Sequence, residues 1–170
     1  MLSRINIFKI VQDHLKTLRS NNSDSNWISR GDALLFFLSP IIISAILTYK
    51  RVKLIDHTTD LITAVSILGG FLFNFLAIVY GLMDKLKTDS QENALKRKFV
   101  KEIHVNISFN ILLSLVLLLI LIIYSYQPKD SCFRLFDYIV SPLIYFFLIL
   151  FTLTMVMILN RVYIIMKKED

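Results

Sequence analysis

The chain has 170 residues, 55% of them hydrophobic and 19% charged, with a formal net charge of +6. A soluble domain of that size needs a wetter surface, and here the apolar residues come in long unbroken blocks, so the composition excludes a soluble globular protein and predicts an integral membrane one. One cysteine, Cys132, excludes an intramolecular disulfide.

The expected architecture is all-α: a cytosolic amphipathic helix and linker over residues 1–29, then a four-span membrane helix bundle over residues 30–170. In residues 1–20, Ile5, Phe8, Val11, Leu15 and Leu18 recur at helical spacing, with charged residues over much of the remainder. Such a helix lies on a membrane surface, on a partner helix, or against the rest of its own chain. The first thirty residues are polar and charged, without the apolar core and cleavage site of a signal peptide. Residues 21–26 (NNSDSN) read as a linker. Trp27 and Ile28 fit an interfacial belt, and Ser29 with Asp32 resembles a capping box.

The first predicted span, residues 33–49, is short and carries Pro40, which should kink it. The turn after it holds Asp56, His57 and Asp60. A histidine beside two carboxylates binds metal or senses pH in some proteins, but solvated residues capping the next helix explain the same pattern. The second span, residues 61–83, has no charged residue. Ser66, Gly70, Asn74, Ala77 and Gly81 recur along it at steps of four and three, so they share one face, which continues to Thr63 and Asp60. The chain is organised around this stretch in the sequence reading, because lipid contact has no use for a small and polar stripe.

The connection over residues 84–104 is expected to be cytosolic, with Thr88 or Asp89 capping a helix that begins near Gln91. It carries the densest basic cluster, Lys96, Arg97, Lys98 and Lys101, and runs into the third span, residues 105–126. Asn106, Asn110 and Ser114 form a second polar stripe there, at steps of four. Residues 127–137 are expected to be an external turn, and residues 138–159 a fourth span with Pro142 in its first turn. Fourteen Lys and Arg fall on the N-terminal segment, the 84–104 connection and the tail, against five on the other two connections. That bias predicts four spans with both termini in the cytosol.

Groups that support membrane catalysis are missing from the pattern. The three histidines, His14, His57 and His104, lie outside the spans or at their edges, so no paired haem ligands are expected. No zinc cluster, nucleophile elbow or headgroup-transfer aspartate motif is visible, and no span carries an acidic residue at depth for coupled transport. The expectation is therefore no enzyme, no cofactor and no metal.

Four helices packed together fill their interior with side chains, so one copy encloses no channel. If the stripe of the second span is wet, several copies must meet about an axis, with a tetramer as the working number. Asp60, Thr63, Ser66, Gly70, Asn74, Ala77 and Gly81 would then line a pore, and Phe71, Phe75 or Leu82 would close it by dewetting. If it is dry, the stripe binds a neighbouring helix. The cluster Lys96, Arg97, Lys98 and Lys101 holds either a phosphate-bearing nucleotide or oligonucleotide, with Phe99 or His104 stacking on a base, or anionic lipid headgroups. Reading of duplex DNA is not expected.

The amphipathic helix, the four spans, GGFLFNFLAIVYGL in the second and EIHVNISFNILLSL opening the third resemble the small membrane effectors of bacterial anti-phage defence, the Hailong and Kiwa membrane components. The likeness covers about the central half of the chain. A Hailong-type resemblance implies a homo-oligomeric channel controlled by an oligonucleotide from a partner nucleotidyltransferase. A Kiwa-type one implies a sensor working with a DNA-binding partner. The expected function is a channel-like effector, gated through residues 84–104, that depolarises the membrane. The alternatives are a non-conducting accessory or scaffolding subunit and, third, a holin.

Overall fold

Long apolar runs leave the backbone no partner but itself, and the chain resolves into five α-helices among the residues that the computed structural model describes, 6–18, 34–50, 54–85, 91–126 and 134–167. They are α1 (Ile7–Thr17), α2 (Ser39–Tyr49), α3 (Thr58–Lys85), α4 (Gln91–Ser125) and α5 (Arg134–Lys167). A π-helical turn, Leu34–Leu38, leads into α2, and a 3-10 turn, Leu54–His57, leads into α3. The linker at 21–26, Trp27, Ile28, the Ser29–Asp32 box, the cap at Thr88 or Asp89, and Cys132 lie outside the described residues.

Helices α3, α4 and α5 are long and apolar enough to cross a membrane, so the chain has the pattern of a multi-pass membrane protein with three such helices rather than the expected four. The segment expected as the first span, residues 33–49, is described from Leu34 to Tyr49 and comprises five π-helical and eleven α-helical residues. It reaches about 24 Å, short of a hydrocarbon core of about 30 Å. Pro40 falls in the first turn of α2, directly after the π-helical turn, and its missing N–H removes a backbone bond where the irregular winding meets the regular helix. Pro142 departs from expectation in the other direction. Helix α5 takes in residues 134–137 of the expected turn, so Pro142 stands inside the helix and removes a backbone bond there.

A closed bundle is also corrected. Extensive packing joins α3 to α4, α4 to α5, and α5 to α2, so the helices lie in a row with α3 and α2 at its two ends. Helix α4 is the centre of this row and also receives α1. The second predicted span, read as the organising one, is peripheral: α3 buries Val65, Leu72 and Val79, a narrow seam at seven-residue steps. Only 17% of its apolar window is buried, against 39% for α4.

Two apolar clusters fill the row. One, around Ile103, Ile107, Leu113, Phe151 and Ile158, lies toward α1. The other, around Leu54, Val65, Leu117, Leu121 and Ile144, lies toward the α4–α5 turn, where the hydroxyls of Tyr124 and Ser141 approach to 3.3 Å.

Candidate functional site

Two polar rows on neighbouring long helices face opposite ways. On α3, Asp60, Thr63, Ser66, Gly70, Asn74, Ala77 and Gly81 are all exposed. At 100° per residue their mean direction lies about 175° from the Val65–Leu72–Val79 seam. The row therefore points away from the protomer, and Asn74 stands close to the middle of the uncharged run. A Cβ built on Gly70 or Gly81 meets nothing within 4 Å. Gly69 is the opposite case: its Cβ would lie 2.9 Å from Ser114 Oγ on α4. The glycine pair thus divides its work, Gly69 letting two helices approach and Gly70 facing outward.

On α4, Asn106 and Asn110 have 0% of their surface exposed and Ser114 2%. Sequence reasoning found this stripe but set it near one membrane face without a partner. Thr154 of α5 is also at 0%, its hydroxyl donating to Leu150 O at 2.8 Å. Ser114 Oγ donates to Ile111 O at 2.7 Å. Asn106 Nδ2 and both side-chain atoms of Asn110 find no partner in the protein. A buried amide atom left so costs about 1–3 kcal/mol.

The N-terminal helix closes the end of this row. Asn6 caps it, its Oδ1 accepting from Lys9 N at 3.1 Å, and Lys16 pairs with Asp13 at 2.8 Å on the outer side. That contact holds the exposed Asp13 carboxyl below its ordinary range. The inner side is Ile10, Val11, His14 and Leu18, while Phe8 is 88% exposed. His14 stacks flat on Phe109, ring centroids 3.8 Å apart, and its Nδ1 lies 2.9 Å from Asn106 Oδ1. Thr17 Oγ1 lies 2.7 Å from both Asn106 Oδ1 and His14 O. Arg161 of α5 donates to Glu102 Oε2 at 2.7 Å and to Thr17 O at 2.9 Å, satisfying a carbonyl that the end of α1 leaves open. Burial drives the His14 pKa from 6.5 to about 4, helped by the Arg161 charge and opposed by the Asn106 contact.

His14, Thr17, Glu102, Arg161 and Thr154 were missed as a site. The signal was present for one of them: His14 falls three residues after Val11 and four before Leu18, on the apolar stripe of α1. The others join it only through tertiary contact.

The basic cluster stays on the first turns of α4. Arg97, Lys98 and Lys101 are exposed on the side away from buried Val100 and Ile103, with Lys96, Phe99 and His104 partly covered. His57 and Asp60 are both exposed and only within 4.0 Å of each other, and no metal-binding group of His, Cys, Asp and Glu occurs among the described residues.

No family model matches the chain, and no curated protein or solved structure matches it either.

Proposed function

We propose that this chain is a self-associating membrane protein, a channel-like effector whose α3 helices gather about an axis and line a conduit between protomers. One observation carries this reading: an asparagine at mid-span, flanked by small residues, occupies a helix face that the protomer itself leaves uncovered. Hydrocarbon is a poor neighbour for an unpaired amide, so that face calls for protein or water. In a ring, Asp60 and Thr63 form a collar at one mouth and Gly81 lies at the other.

Helix α1 packs at the Arg161 end of α5, so these two ends of the described chain share a side, which the lysine and arginine count favours as the cytosolic one. The exposed cations at Arg97, Lys98 and Lys101 are there the entry for a phosphate-bearing signal. The defence role rests on the sequence resemblance alone.

The test is ion leak from liposomes containing the purified protein. Asn74→Leu is expected to reduce leak at least tenfold while particle size is unchanged. Unaltered leak overturns the conduit. A wild-type protein that does not leak, with assembly lost in Asn74→Leu, replaces it with the non-conducting accessory subunit.

A further inference from the structure

The buried row on α4 lies inside one protomer and is independent of any conduit between protomers. Its atoms do not balance. Thr17 has one hydroxyl proton yet lies 2.7 Å from two oxygens, His14 O and Asn106 Oδ1. If the Asn106 amide is turned over, its NH2 group donates to His14 Nδ1 and Thr17 Oγ1, while Thr17 donates to His14 O. In either orientation one atom of Asn106 is left over. Both atoms of Asn110, one helical turn deeper, are left over as well.

Three partnerless polar atoms at zero exposure, on one helix face, demand a ligand that both donates and accepts hydrogen bonds. Water meets that demand with two to four bonds. We propose that Asn106 and Asn110 hold internal water in an inlet that runs along α4 toward Ser114 and is capped by α1. The inlet extends about 12 Å at 1.5 Å per residue. Leu117, Leu121 and Ile144, all at 0% exposure, seal it beyond Ser114. At its mouth stand His14, Thr17 and the Arg161–Glu102 pair. Arg161 is the tie, because it joins the end of α1 to Glu102.

Thiol reactivity in the full chain tests this. In a Cys132→Ser background, Asn110→Cys is exposed to 2-aminoethyl methanethiosulfonate in detergent, with Ile107→Cys, equally buried in the apolar cluster, as the control. Position 110 is expected to react, and about tenfold faster when Arg161→Gln is added, while position 107 stays unreactive in both. Equal rates at the two positions, or no reaction at 110 in either background, overturn the inlet. Radical footprinting of the unaltered chain covers the case of a variant that does not fold. Phe109 and Leu113, beside the row, are expected to be oxidised and Leu117 and Leu121 not; absence of that difference overturns the proposal.

Discussion

Helix α3 spaces Ser66, Gly70, Asn74, Ala77 and Gly81 along one face and turns that face out of the protomer; α4 spaces Asn106, Asn110 and Ser114 in the same four-residue rhythm and buries all three. The difference comes from neighbours. Helix α4 has α1, α3 and α5 around it, whereas α3 ends the row and has extensive packing only with α4. A polar row at the centre of a row of helices is solved within one chain, by His14 and Thr17 and by whatever fills the space beside Asn110. A polar row at the edge is left for something outside the chain.

The glycine pair offers the largest way to break this distinction. Gly69→Leu drives a side chain into Ser114 on α4 and is expected to cost about 3 kcal/mol by overpacking. Gly70→Leu meets open space and is expected to leave protomer stability within about 0.5 kcal/mol. Denaturant unfolding in micelles measures both, and equal losses would erase the inward and outward assignment. Acid acts on the buried row through His14. His14 is neutral while docked, with a pKa of about 4, and takes up a proton near 6.5 once released. Docking of α1 is therefore at full strength above pH 6.5 and weakens as pH falls toward 4, by up to about 3 kcal/mol. The groups facing His14 are Asn106 and Phe109 from α4 and Arg161 from α5, with Glu102 beyond the guanidinium. A spin label at the exposed Gln12 should become mobile over that range, and His14→Phe should flatten the profile. A smaller loss than that from acid is expected of Glu102→Gln. It removes a charge from a pair 18% and 24% exposed, while Arg161 keeps Thr17 O, so a loss of about 1.5 kcal/mol in α1 docking is expected from the same label.

Helix positions were legible because uncharged runs and their charged ends define them. The expected start of the third helix near Gln91 and the second span over 61–83 match α4 and α3 closely. The direction of each polar row was not legible. Asn74 and Asn110 look alike in sequence, each in a four-residue rhythm among Leu, Ile and Phe, and periodicity gives a face without saying what covers it. The large residues opposite the stripe held part of the answer: Val65, Leu72 and Val79 form one seam, enough for a single neighbour. The winding ahead of α2 was hidden for a different reason. Residues 33–49 are uncharged throughout, and hydropathy does not reveal that the helix is wound as π before Pro40. His14 was passed over because a histidine outside the spans reads as solvated, whereas α1 folds down and carries it into the interior.

The bond between Arg161 and Thr17 spans 144 positions of sequence. During synthesis α1 therefore rests on its α4 contacts, His14 and Thr17 with Asn106 and His14 on Phe109, until α5 has emerged from the ribosome and Arg161 ties down its end. A chain interrupted before residue 161 thus keeps the α1–α4 contacts and lacks the tie across to α5.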